Sequence, residues 1–117
     1  MVSHDDIRGI CNALPGSIEG SEQFGFGVMF KGKHKGFCWT WRERVDPKKP
    51  KVINDRVLAV RTPNLAAKQM LLESGNSALF TEPHYDGYPA ILVRLDEVDL
   101  GDLEDLLVEA HASTISK

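Results

Sequence analysis

The apolar positions of this chain change their spacing several times, and the elements follow from those changes. Ile7, Ile10, Cys11 and Leu14 recur at i, i+3, i+4 and i+7, which is one face of a helix over His4 to about Ala13. Ser3 and Asp6 stand at capping-box spacing, Asp5 and Asp6 suit the positive helix start, and Pro15-Gly16 ends the run. The period then falls to two. Phe24, Phe26, Val28 and Phe30 alternate with Gly25, Gly27 and Met29, the pattern of a strand with one apolar face. Gly32, set among Lys31, Lys33, His34 and Lys35 and followed by Gly36, reads as a polar hairpin connection. A second strand, Gly36 to about Arg42, then puts Phe37, Trp39 and Trp41 in one phase.

Over residues 43–56 the alternation fails, because Pro47 and Pro50 and the run Lys48, Lys49, Lys51 suit neither a sheet edge nor a core face; a long exposed basic loop is expected. Val57 to Arg61 reads as a third strand. Thr62-Pro63 reads as a cap and first helical residue for a second helix, Asn64 to Ser74, packed through Ala66, Ala67, Met70 and Leu71 and closed by Gly75. Ala78 to Thr81 is a short strand that Pro83 ends, Tyr85-Asp86-Gly87-Tyr88 is a turn, and Ala90 to Leu95 is the last strand. Asp99 caps a final helix from Leu100 to about His111, with Leu100, Leu103, Leu106, Leu107 and Ala110 on its apolar face. The order predicts one α+β domain over residues 1–117, an antiparallel sheet of about five strands with three helices packed mainly on one face.

Composition leaves that picture unchanged. An apolar fraction of 42% and a charged fraction of 26% belong to a globular chain. No apolar run approaches membrane-spanning length and the first residues do not resemble a secretory signal, so a cytoplasmic protein with no membrane partner is expected, with a monomer as its expected state. Cys11 and Cys38 lack CxxC spacing and read as buried, reduced and inert.

Charge adds more. Residues 31–61 carry ten of the fourteen Lys and Arg with only three acids, whereas residues 96–109 carry seven acids and no base. A chain whose formal net is -3 can therefore still present a polyanion-binding surface. The candidate contacts are Lys31, Lys33, His34 and Lys35 at the first connection, and Arg42, Arg44, Lys48, Lys49, Lys51 and Arg56 at the next. If four to six of them each neutralised a phosphate, binding would weaken with salt at a log–log slope of roughly -4 to -5. Glu43, Asp46 and Asp55 lie among these bases, and a solvated lysine-rich surface is the alternative reading. Trp39 and Trp41 would stack bases if exposed; their phase with Phe37 favours burial under the helices.

Several short motifs, taken in order, resemble one family. They are Ala13-Leu14-Pro15-Gly16, Phe30 with Gly32-Lys33, Phe80-Thr81-Glu82-Pro83 ahead of Tyr85 and Gly87, and Val93 through Asp99 running into an acidic helix. Together they are similar to the MmcQ/YjbR-like family over nearly the whole chain. The resemblance implies a frataxin-like α+β topology with a double-wing arrangement suggestive of DNA binding, so DNA is the expected partner. The stretch Glu43 to Arg56 departs from that family's compact pattern.

Other chemistry is poorly supplied. His4, His34, His84 and His111 show no metal-ligand spacing, and neither a nucleophile elbow nor a phosphate-binding glycine loop occurs. His84 with Tyr85 and Asp86 is the best candidate for a small polar site, and a local hydrogen-bonding role is the expectation there. Frataxin-like topology also implies iron at carboxylates, yet Asp5 and Asp6 diverge on their helix and Asp102, Asp105 and Glu109 read as a solvated face. The expectation is a non-enzymatic protein without cofactor or metal, binding DNA weakly or non-specifically through its basic loops, or else a protein- or ligand-interaction module of the same fold.

Overall fold

The computed structural model describes residues 2–21, 23–43, 48–50 and 52–115, apart from the side chains of Glu43 and His84. Its elements are α1 (His4–Asn12), β1 (Ile18–Glu19), β2 (Gly25–Phe30), β3 (Lys33–Glu43), β4 (Val52–Arg61), α2 (Leu65–Leu72), β5 (Leu79–Phe80), a 3-10 turn (Pro83–Tyr85), β6 (Ala90–Arg94) and α3 (Leu100–Thr114). The strands form one antiparallel sheet in the order β1-β2-β3-β4-β6-β5. The α+β class holds, with six strands in place of about five; the addition is the two-residue β1, too short to show a period.

Local chemistry accounts for the helix starts. Ser3 accepts from the Asp6 amide and Asp6 accepts from the Ser3 amide, completing the capping box. For α2 the cap is Asn64, whose side chain accepts from the Ala67 amide, so Pro63 lies outside the helix. Asp99 caps α3, which runs three residues past the expected end.

All three helices contribute to one core, on one face of the sheet. Ile7 and Cys11 of α1, Leu103, Leu107 and Ala110 of α3, and partly buried Leu71 and Leu72 of α2 join Phe26, Val28, Phe37, Cys38, Leu58, Val60, Ile91 and Val93. The expected packing stripe of α2 is corrected: Met70 is 72% exposed, and the buried residue is Lys68. Cys11 and Cys38 are free and buried, and burial followed by the neighbouring Cys11 thiol pushes the Cys38 thiol well up, which keeps it protonated.

Two irregularities in β3 and β4 correct the strand readings. Phe26 pairs with Cys38 but Gly27 pairs with Gly36, so Phe37 is an extra residue in β3. That bulge lets Phe37 and Cys38 both face the helices and throws Trp39 and Trp41 to the other side. Further along, Thr40 pairs with Leu58 but Trp41 with Asn54, so β4 detaches from β3 for three residues and then rejoins it. Strand structure therefore resumes at Val52, five residues before the expected Val57, and the basic connection is shorter than 43–56.

The glycines of β2 belong to close strand packing. A Cβ on Gly25 would lie 2.6 Å from the Cys38 carbonyl oxygen and 2.9 Å from the Trp39 Cα, backbone atoms that can yield only by moving a strand. Gly25→Ala is expected to lower the unfolding free energy by about 1–3 kcal/mol in urea titration. Gly9→Ala, in open space on α1, is the contrast and should stabilise by about 0.5–1 kcal/mol.

Candidate nucleic-acid interface

The β2–β3 connection is a two-residue turn. Lys31 and Gly32 both have positive φ, +54° and +78°, the primed geometry that lets adjoining strands keep their twist. Lys33, His34 and Lys35 belong to β3 itself, paired with Phe30, Met29 and Val28. A tight turn thus holds Lys31, Lys33, His34 and Lys35, all exposed, at one rigid tip. The Lys31 and Lys35 ammonium groups lie 5.5 and 5.2 Å from the centroid of the Phe30 ring, so one aromatic side chain gathers two of them. Among the described residues none of the three lysines forms an ion pair.

The second basic group is elsewhere. In an antiparallel meander, consecutive turns leave opposite ends of the middle strand, and β3 is 11 residues long. At about 3.3 Å per residue the two connections stand roughly 30 Å apart. Arg42, beside the far end, donates to Gln23 Oε1 at 2.9 Å. Arg56 is spent within the fold: it is paired with Asp96 at 2.7 Å and donates to the Val2 carbonyl. Lys48 and Lys49 are exposed, and Arg44 and Lys51 lie outside the described residues. The described candidate cations therefore form two separate groups, because β3 keeps their connections apart.

A feature the alternation hid lies on the sheet face away from the helices. Trp39, Trp41, Phe80 and Tyr85, all partly buried, gather there with Val57, Ala59 and Leu92. Tyr88, 39% exposed, sets its ring edge against Trp39 and against Tyr85. The indole Nε1 of Trp39 donates to the Tyr85 hydroxyl at 3.1 Å. Arg61 donates to the Gly36 carbonyl and to the Tyr88 hydroxyl, and its guanidinium lies 5.9 Å from the ring centroids of both Trp39 and Tyr88. Arg94 lies 4.0 Å from the centroid of Phe80. The one sequence signal for this arrangement was the adjacent apolar pair Phe37-Cys38, which strict alternation does not allow.

Lys68 holds the tyrosines in place. Only 3% exposed, it reaches from α2 to donate to the backbone carbonyls of Tyr85 and Tyr88. Burial lowers its pKa, opposed by the nearby carboxylates of Asp86 and Glu82. The polar site expected around His84 is thus a lysine-tied turn; the His84 side chain itself lies outside the description. His111 is buried and donates from Nε2 to the Pro15 carbonyl at 2.7 Å, tying α3 to the turn after α1. Asp102, Asp105 and Glu109 rim a groove of about 320 Å³ between α2 and α3. Among the described residues no three metal-ligating side chains converge, and no helix is long and apolar enough to cross a membrane.

With this geometry the chain can be set beside known proteins. No family model matches it. Three uncharacterized proteins, Mb2600 of Mycobacterium bovis and MT2646 and Rv2570 of Mycobacterium tuberculosis, are each 31% identical over 111 residues, covering 94% of this chain and 86% of their own. The crystal structure of Deinococcus radiodurans protein DR2400, a DUF419 domain, superposes with a TM-score of 0.68 at 22% identity, over 94% of this chain and 76% of that one. The second likeness is one of fold.

Proposed function

We propose, for a chain that belongs to one family with the mycobacterial proteins Mb2600, MT2646 and Rv2570, a non-enzymatic role: weak, non-specific DNA binding through the tip of the β2–β3 hairpin. The observation that carries this reading is the contrast between cations. Arg8, Arg56 and Arg94 are matched by carboxylates, whereas Lys31, Lys33 and Lys35 share one rigid turn without an ion pair among the described residues. Ammonium groups without a carboxylate at a fixed tip are suited to phosphates, since a bound phosphate competes with no internal anion. The α+β fold shared with DR2400 is compatible with the MmcQ/YjbR-like resemblance of the motifs, and in this reading the hairpin serves as the wing that the resemblance implies.

Three phosphate contacts imply a log K against log salt slope of about -2 to -3 on duplex DNA. This is shallower than all ten cations acting together would give. The variant Lys31→Ala/Lys33→Ala/Lys35→Ala is expected to bring that slope near zero and to weaken binding at low salt at least tenfold. Fluorescence anisotropy over a salt series reads both. An unchanged slope would move the contact away from the hairpin, and absence of binding at low salt would end the DNA reading.

A second reading is an interaction module that docks a protein in the groove between α2 and α3, where Leu71 and Leu106 floor a cavity rimmed by Asp102, Asp105 and Glu109. Binding there would survive the lysine substitutions.

A further inference from the structure

We propose that the helix-free face of the sheet is a stacking platform for unpaired bases, so that the protein prefers single-stranded to duplex DNA. This rests on the hairpin reading above and names the form of nucleic acid that the same end of the sheet takes. Planar aromatic side chains stack on bases of any sequence, provided the ring faces of those bases are free. In a duplex those faces are occupied by neighbouring base pairs, and only edges are on offer in the grooves. An aromatic surface therefore discriminates by strandedness.

The face is built for a flat ring at one place in particular. A cavity of about 130 Å³ lies against Trp39, with the backbone of Gly25, Gly27 and Gly36 as its floor and His34 at its side. Its lining is almost wholly apolar. The glycines let two rings lie close on that floor: a Cβ on Gly27 would fall 2.7 Å from His34 Nε2, and one on Gly36 would fall 3.6 Å from the Trp39 ring. The hairpin tip and this cavity share His34, whereas Lys33 and Lys35 stand on the other side of β3 with Phe30 and Val28, so a strand reaches the sheet face from the lysines by turning around the tip. There Arg61, without an ion pair among the described residues, stands over Trp39 and Tyr88 and offers a guanidinium to the phosphate of a base lying on the indole. Arg61 and the exposed parts of the aromatic rings beside it thus point to the same occupant, a polyanion carrying planar rings.

The chain makes the test direct, because Trp39 and Trp41 are its two tryptophans and both lie on this face. Oligothymidylate added at low salt is expected to quench intrinsic fluorescence, to shield the indoles from acrylamide and to bind at least tenfold more tightly than a duplex of equal length. Trp39→Leu and Trp41→Leu should each cost roughly 5- to 150-fold in single-strand affinity, and Trp→Phe at the same positions should recover most of it. Should a leucine variant lose its circular dichroism signal, acrylamide shielding in the unmodified protein decides. Equal binding of both forms with no quenching overturns the platform and leaves the hairpin reading standing; absence of binding by either form overturns both.

Discussion

Phe37→Ala is expected to remove about 3–5 kcal/mol of stability, read as a lowered urea midpoint with an unchanged denaturant slope. The side chain is fully buried, and its position is unusual: as the extra residue of the β3 bulge it stands where no strand partner opposes it, projecting into the helix-covered core. Its ring meets the edge of His111, 5.6 Å away, where α3 crosses the sheet. Truncation would leave a void at the point where sheet, α3 and the Pro15 turn meet, and the bulge geometry gives the backbone no easy way to close it. Since small domains hold only about 5–15 kcal/mol in total, the variant should sit near the edge of folding at growth temperature. Phe37→Leu, which keeps most of the volume, should cost well under half as much. A cost for alanine below about 1 kcal/mol would mean the bulge does not hold Phe37 in the core.

Lys68→Ala is the second large effect, at about 2–5 kcal/mol. It removes the ammonium donor from two carbonyls, those of Tyr85 and Tyr88, which are left with the amides of Tyr88 and Ala90 alone, and each lost charge-assisted hydrogen bond costs about 1.5–3 kcal/mol. Lys68→Met fills the same space without donating, so the hydrogen-bond account predicts that methionine rescues little, whereas a packing account predicts nearly full recovery. The pH dependence has a definite sign. Because the folded-state pKa lies below the ordinary 10.5, the unfolded chain binds more protons at this site between those two values. The stability that the unmodified protein holds over the methionine variant should therefore grow as pH is raised through that window toward 10.5, and a neutral amine still donates to both carbonyls. Chemical denaturation of both proteins at several alkaline pH values measures the difference. The same variant should disturb the aromatic face, since the turn it frees carries the Tyr85 hydroxyl to which Trp39 donates.

How much could be seen beforehand depended on how local the cause was. The capping box of Ser3 and Asp6, the hairpin at Gly32 and the cap at Asp99 each rest on a few neighbouring residues, and all three stand as read. The α2 cap was misplaced from Asn64 to Thr62 because both residues are good caps and the choice depends on how the chain leaves β4; Thr62 instead bonds the Asn64 carbonyl. Positions of Trp39 and Trp41 were misread because a bulge is decided by the partner strand. Nothing in residues 36–42 alone says that one of them will be skipped by β2. The charges were read correctly as a list and incorrectly as a surface. Lys31, Lys33 and Lys35 are close in sequence and close in space, but their distance from Lys48 and Lys49 is a property of strand order, and Arg56 meets Asp96 through a contact spanning forty residues.

Both outermost strands of the sheet, β1 and β5, are two residues long. An open β-edge normally offers a neighbouring molecule a row of unanswered amides and carbonyls, and edges this short give an incoming strand almost nothing to zip onto. Along β1 and β5 themselves, then, a neighbouring molecule finds little margin to extend, and the ground these strands leave for recruitment is a broad surface or a protruding turn.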